Sequence, residues 1–216
     1  MVDVTSQISS VQRKLGGRVL EAGEAVTSEA VTLTVSQVYD TDLDDLWDAC
    51  TNAERIPRWF LPVSGELRAG GKYQLEGNAG GTVERCDPPK SFAATWEYGG
   101  DVSWIEVRLS AEPDGRTRFE LDHTAHPNEH WKQYGPGAVG VGWDMMLNAL
   151  AIHLETGETN DPAAAMEWTT SEEGVRFMTL SSEGWYEADV SNGTDAVSAR
   201  TRADATLAAY TASPEC

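Results

Sequence analysis

Cysteine is rare in this sequence. Cys50, Cys86 and Cys216 are the three cysteines among 216 residues. An odd number at wide spacing fits neither a disulfide framework nor the CxxC pairs of metal and redox motifs. We therefore expect reduced thiols, which are typical of a cytoplasmic protein.

Cations and long apolar runs are scarce as well. The chain has 16 Lys and Arg against 35 Asp and Glu, a formal net charge of −19, which repels nucleic-acid phosphates and anionic lipid. No segment approaches the roughly 20 apolar residues of a membrane helix, and the first residues lack the apolar region of a signal peptide. We expect a soluble, unsecreted, cytoplasmic protein that binds neither nucleic acid nor membranes.

The motifs of several enzyme classes are also missing. No serine stands in a GxSxG elbow, and no cysteine stands in a recognisable motif with histidine. Gly-rich phosphate loops, which bind nucleotides, are absent. The sequence therefore predicts no cofactor and gives no support to nucleophilic catalysis.

The periodicity of apolar residues predicts the first elements. Residues 1–30 are polar and aperiodic, so we treat them as an N-terminal arm with at most a short leading strand. Residues 31–39 alternate apolar and polar side chains, as a half-buried strand does. Thr41 is the expected N-cap of a short amphipathic helix, and Thr51 begins a capping box that opens a second short helix.

The middle of the chain, residues 65–127, consists of strand-like segments separated by turn residues. Gly70-Gly71, Asp87-Pro88-Pro89, Gly99-Gly100 and Asp114-Gly115 follow one another at hairpin intervals. No segment long enough for a crossover helix interrupts them. This arrangement predicts an antiparallel meander.

Helices are predicted for the rest of the chain. Residues 138–156 form one long helix, with a narrow polar line through Asp144, Asn148 and Glu155 between two apolar stripes. A helix this apolar needs cover on more than one side. The sheet covers one side, and three helices predicted within residues 158–216 cover another.

Four segments carry a resemblance to a known family. They are LWDACTNAERIPRWFLPV, GGTVERCDPPKSFAATWEY, GRTRFELDH and VGVGWDMMLNALAIHLE. In this order they resemble the START-like SRPBCC superfamily, specifically the bacterial homologues of the heat-shock protein 90 ATPase activator. The resemblance implies an α+β helix-grip fold, in which an antiparallel sheet wraps around a long C-terminal helix and encloses an apolar cavity.

The resemblance also suggests the domain organisation. Residues 1–30 are the N-terminal arm, residues 31–157 the START-like helix-grip domain, and residues 158–216 a helical extension packed on the core. The extension departs from the minimal family pattern and resembles an actinobacterial type of extension.

Three of the four histidines fall in the segment HTAHPNEH, which suggests a metal site at first sight. Pro127 breaks a helix there, and the segment lacks the HExxH spacing, so we predict no metal. His123 is of interest by itself because it shares strand parity with Phe119 and Leu121. It is either a buried histidine with a main-chain or tyrosine partner, or a ligand contact.

Aromatic residues from different elements border the cavity that the resemblance implies. An aromatic wall with few polar groups suits a flat or hydrophobic ligand, although the same residues can simply fill the core. The candidate ligand-binding residues are Trp59, Tyr73, Trp96, Phe119, His123, Trp143, Met146 and Leu150.

Three functions stay open on the sequence alone. Binding of a small hydrophobic or aromatic molecule without catalysis is favoured. A polyketide aromatase/cyclase-like enzyme would need an acid or base in the cavity, for which His123 and Glu84 are candidates. A co-chaperone-like interaction module would leave the cavity filled by side chains. The ligand's identity and the oligomeric state, a homodimer included, are left open.

Overall fold

A computed structural model of the protein describes residues 3–22 and 26–212, with side chains for residues 3–17 and 29–212. Within these ranges the helices are α1 (Val4–Ser10), α2 (Leu43–Thr51), α3 (Glu129–Tyr134), α4 (Gly137–Thr156), α5 (Pro162–Thr170), α6 (Glu172–Ser191) and α7 (Ala196–Thr211). The strands are β1 (Gln12–Ala22), β2 (Val26–Tyr39), β3 (Val63–Gly65), β4 (Lys72–Leu75), β5 (Gly80–Asp87), β6 (Ser91–Tyr98), β7 (Asp101–Ala111) and β8 (Thr117–Ala125).

In the part of the chain that the structure describes, the strands form one open antiparallel sheet in the order β1-β2-β8-β7-β6-β5-β4-β3. From β3 to β8, each strand pairs with the next one along the chain. Gly99 and Gly100, both with positive φ, form the tight turn between β6 and β7. The predicted meander, the α+β class and the helix-grip order of elements are therefore confirmed.

Alternation along the strands separates an inner, apolar face of the sheet from an outer, charged one. In β7, Ile105, Val107 and Leu109 are buried. The side chain of Arg108, which stands between two of them in the strand, points to the opposite face. There it donates hydrogen bonds to Glu120 and to a second carboxylate of β8. Because successive side chains of a strand point to opposite faces, one face of the meander belongs to the core and the other to solvent.

Several local predictions need correction. The predicted N-terminal arm forms α1, β1 and the start of β2 within its described part. The second predicted helix is only a 3-10 turn at Ile56–Arg58, where proline interrupts the helical hydrogen bonds. The N-cap of α2 is Asp42 rather than Thr41, since the Asp42 side chain accepts from the Asp45 N–H. The short helix α3 begins just after Pro127, where none was predicted.

Helix α4 is the predicted long helix, and Gly157 with a φ of 70° follows its last turn. One prediction about it is wrong. Asp144, which we place on the polar line of the helix, is 0% exposed. A carboxylate so buried requires partners from elements that are distant in sequence.

The chain divides into two compact units. The first, here called the terminal unit, comprises Met1–Val35, His126–Asn148 and Asp161–Cys216. The second, the central unit, comprises Ser36–Ala125 and Ala149–Asn160. Strand β2 and helix α4 contribute residues to both. The predicted domain boundaries at residues 30 and 157 stay predictions.

Two of the three cysteines are described, and both are free thiols. They are Cys50, which is buried, and Cys86, while Cys216 lies outside the described residues. Burial raises the pKa of Cys50 to about 12, so its thiol stays protonated at neutral pH. In the described ranges, no helix combines the length and the apolar character needed to cross a membrane.

Candidate ligand-binding site

The candidate site lies on the inner face of the sheet in the central unit, near the hairpin that joins β6 and β7. The strand register places Trp96 opposite Ser103 and His123 opposite Ile105. Residues opposite each other in neighbouring strands share a face of the sheet, and so do residues two apart in one strand, as Ser103 and Ile105 are. Trp96, Ser103 and His123 therefore point to the same side of the sheet. His123 is only 6% exposed there.

Ser103 and His123 form a hydrogen-bonded pair. The Ser103 Oγ lies 2.8 Å from the His123 Nε2 and donates to the main-chain oxygen of Trp96 at 3.0 Å. A carbonyl oxygen has no proton to give, so Ser103 donates to it and accepts from the Nε2–H of His123. The Trp96 side chain is a neighbour as well, with its ring centroid 6.2 Å from that of His123.

Burial keeps the imidazole of His123 neutral. It lowers the pKa of His123 to about 4, because the charged form would lose its hydration. At neutral pH the ring is therefore uncharged. It cannot attract an anion by charge, and it holds no second proton with which to act as a general acid.

Two further predicted aromatic residues are held by hydrogen bonds to the main chain. The Trp59 Nε1 donates to the Ala49 oxygen at 2.9 Å, and the Tyr73 hydroxyl donates to the Thr95 oxygen at 2.7 Å. Tyr73 is paired with Gly81, where a Cβ would lie 2.2 Å from the same Thr95 oxygen. The glycine thus permits the close approach of β5 and β6 on which the Tyr73 bond depends.

The other predicted residues are distributed over both units. Phe119 is buried on the inner face of β8, and Leu150 is a buried residue of α4 in the central unit. Trp143 and Met146 are buried residues of α4 in the terminal unit. Glu84 is exposed and lies at a register shift between β5 and β6.

Ser103 is a site residue that sequence reasoning missed. It occupies the same parity in β7 as the buried Ile105 and Val107. A serine among inward positions of the strand that are otherwise apolar was the available signal. His123 was predicted from a signal of the same kind, because it is a polar residue that shares a face of its strand with the apolar Phe119.

The terminal unit contains a second buried polar cluster, centred on Asp144 of α4. Its Oδ2 accepts from Arg13 Nε at 2.9 Å, Ser181 Oγ at 2.5 Å and Trp185 Nε1 at 3.1 Å, while Oδ1 has no partner among the described residues. Burial raises the pKa of Asp144, and the Arg13 charge opposes that rise. A Cβ at Gly140 would lie 2.3 Å from the Trp185 ring, so glycine is required there.

The remaining histidines have separate neighbours. In the ranges that the structure describes, no group of three or more His, Cys, Asp or Glu side chains is arranged to hold a metal ion. Their contacts include His126 Nδ1 to the Glu29 oxygen at 3.4 Å, His130 to the Tyr134 ring, His153 Nδ1 to the Glu158 oxygen at 2.9 Å and Arg55 Nε to His153 Nε2 at 3.3 Å.

Comparison with known proteins identifies the family. The family described as activator of Hsp90 ATPase homolog 1-like protein matches residues 40–155, which is more than half of the chain. The chain belongs to this family. The resemblance seen in the sequence is thereby confirmed. Comparison with curated proteins found no match.

Solved structures share the family's fold. CalU16 from Micromonospora echinospora, determined by solution NMR, is 34% identical with a TM-score of 0.67, over 85% of this chain and 97% of CalU16. The CalU16 crystal structure gives 35% identity and a TM-score of 0.58 over 79% and 98%. An HSP90 activator from Plasmodium falciparum shares the fold at 19% identity, with a TM-score of 0.50 over 60% and 99%.

The similarity to CalU16 extends beyond the family core. Residues 1–155 are less than three quarters of the chain, so an alignment that covers 85% of it includes part of the C-terminal segment. That segment contains α5, α6 and α7. At least part of the C-terminal helices is therefore common to this chain and CalU16.

Proposed function

We propose that the protein binds a small hydrophobic or aromatic molecule on the inner face of the sheet in the central unit, without catalysing a reaction. The observation that carries this proposal is the Ser103–His123 pair, which lies beside Trp96 on a mostly apolar, buried face. A largely apolar surface with a few well-placed polar groups is typical of small-molecule sites.

A core that only stabilises the fold has little need of such a pair. Burying an imidazole and a hydroxyl costs free energy, which their mutual hydrogen bond merely offsets. The neighbouring inward positions hold Ile105 and Leu121, which are buried without such a cost. Trp96 is only partly buried. An apolar ring therefore stands next to the polar pair on a surface that a ligand can contact.

An activity of the aromatase/cyclase type fits these groups less well. It requires an acid or base next to the substrate. The one N–H of the neutral His123 is used in the bond to Ser103, the pKa of about 4 makes its imidazole a weak base, and Glu84 is exposed. A co-chaperone-like function would act through the outer surface and would not require the buried pair. These observations support binding rather than catalysis.

Titration with the neutral fluorescent dye N-phenyl-1-naphthylamine tests the proposal. We expect saturation at one dye per chain. Trp96→Ala should weaken dye binding by about tenfold, because it removes an aromatic contact. Trp104→Ala is the matched control, since Trp104 lies opposite Thr95 in the adjacent strand and on the outer face. Absence of saturable binding, or equal effects of the two substitutions, would refute the proposal.

A further inference from the structure

The inner face of the sheet becomes accessible toward the hairpin that joins β6 and β7. Because side chains of a strand alternate between faces, Ala94, Trp96 and Tyr98 of β6 all point inward. Ala94 is 2% exposed, Trp96 is partly buried and Tyr98 is 62% exposed. In β7, Ile105 is buried, whereas Ser103, which is closer to the hairpin, is only partly buried. The buried core therefore ends near Trp96, and the last inward position of β6 is open.

The two accessible inward positions of β6 both hold aromatic rings. Trp96 and Tyr98 are two residues apart, so their Cα atoms lie about 6.6 Å apart at a rise of about 3.3 Å per residue. Aromatic rings attract one another at centroid separations of about 4.5–7 Å. A fused aromatic ring system that lies along the strand can therefore contact both side chains at once.

The turn next to Tyr98 is uncrowded. It consists of Gly99 and Gly100, and a Cβ at either glycine would meet no described atom within 4 Å. An exposed tyrosine ring adds little to the stability of the core, since it is the burial of apolar surface that stabilises a fold. The position of Tyr98 therefore suits contact with a bound molecule better than support of the core.

We propose, on the basis of the binding function proposed above, that Trp96 and Tyr98 select flat aromatic molecules over saturated molecules of the same carbon skeleton. A flat ring system places a whole face or edge against the two side chains, and such aromatic contacts contribute beyond the area that they bury. A saturated ring system is puckered, so fewer of its atoms reach the two rings, and it has no π electrons. Tyr98 is thus a specificity-determining residue at the open end of the site.

The test uses 2-naphthol and decahydro-2-naphthol, which share one carbon skeleton and one hydroxyl group and differ in ring saturation. Binding to the full-length protein is measured by calorimetry at pH 7. The saturated probe has no less apolar surface, so hydrophobic burial by itself does not favour 2-naphthol. The wild-type protein should prefer 2-naphthol by about tenfold, the effect of two aromatic contacts.

Substitutions at the hairpin separate the aromatic contact from apolar bulk. Tyr98→Leu should reduce the preference to about threefold, because one of the two rings is lost, and Tyr98→Phe, which retains the ring, should keep it. Val102→Ala is the matched control, because Val102 is 46% exposed and lies on the outer face of the same hairpin, opposite Glu97. It should leave the preference unchanged.

The outcomes distinguish this selectivity from ligand binding itself. Equal or tighter binding of the saturated probe to the wild-type protein, or an undiminished preference in Tyr98→Leu, would overturn the selectivity and leave ligand binding intact. Failure of both probes to bind would overturn the proposed function together with the selectivity. Because Tyr98 is exposed, its variants should fold, and the wild-type comparison decides even if one of them does not.

Discussion

The Asp144 cluster of the terminal unit and the Ser103–His123 pair of the central unit are both buried, yet they differ in charge. At Asp144, a guanidinium and two neutral donors converge on one carboxylate oxygen. At His123, burial lowers the pKa to about 4, and a neutral ring donates to a serine that donates to the main chain.

This difference indicates two roles. A buried carboxylate requires a counter-charge and donors, and here those donors come from β1 and α6, so the cluster holds these elements to α4. A neutral pair requires no counter-charge and holds no charged partner in place. We therefore assign fold stability to the Asp144 cluster, whereas the Ser103–His123 pair belongs to the proposed ligand site.

The largest expected effect comes from removing the positive charge of the Asp144 cluster. Arg13→Met should lower the free energy of unfolding by about 3–5 kcal/mol, because it leaves a buried carboxylate without a counter-charge. The double substitution Arg13→Met with Asp144→Leu should cost less than that. Urea denaturation measures both.

An exposed ion pair is the control for that experiment. Arg68 and Glu66 form one with side chains 71% and 62% exposed, so Arg68→Met should cost no more than about 1 kcal/mol. Equal losses for Arg13→Met and Arg68→Met, or strict additivity of the double variant, would show that the Asp144 cluster does not stabilise the fold as a unit.

The next effect concerns pH and His123. Its pKa is near 6.5 when unfolded and about 4 when folded, so between these values only the unfolded state takes up the proton. The contribution of the neutral ring to stability is complete above pH 6.5 and falls as the pH drops to 4, by about 3 kcal/mol in all. Urea denaturation from pH 7.5 to 4.5 should show a steeper loss in the wild type than in His123→Gln. Parallel curves would mean that His123 is not buried as a neutral ring.

The smallest effect distinguishes two glycines of α4. Gly140→Ala should lose about 1–3 kcal/mol, because its Cβ would lie 2.3 Å from the ring of Trp185, a donor to Asp144. Gly142→Ala meets only the Tyr210 hydroxyl at 3.4 Å, so it should be neutral or gain up to about 1 kcal/mol from helix propensity. Thermal denaturation compares the two. A gain for both variants would mean that α4 and α6 are not closely packed at Gly140.

Much of the fold was predictable, because its signals are local. The alternation in residues 31–39, the turn glycines of the meander and the apolar residues of α4 act over a few positions each. Some of the predictions that failed depend on competition between local signals. At Thr51 a capping box favoured a helix, and Pro57 reduced it to a 3-10 turn.

The candidate site was predictable only in part. The parity of β8 indicated that Phe119 and His123 share the inner face, and the register confirms this. Ser103 was missed because one polar residue among the apolar inward positions of a strand does not reveal its partner. Asp144 was predicted on the wrong side of its helix, because a carboxylate on a helix usually faces solvent. No residue near it in the sequence indicated a counter-charge.

The sequence by itself determined the order of the main elements from β2 onward, the two faces of the meander and the family, since each depends on patterns of residues close together in the chain. The tertiary structure alone decided which polar groups meet. Arg13 and Asp144 are 131 positions apart, and Ser103 and His123 are 20 positions apart in different strands. Such pairs form only when strand register and helix packing bring distant residues to hydrogen-bonding distance, and burial then determines whether the paired groups are charged or neutral.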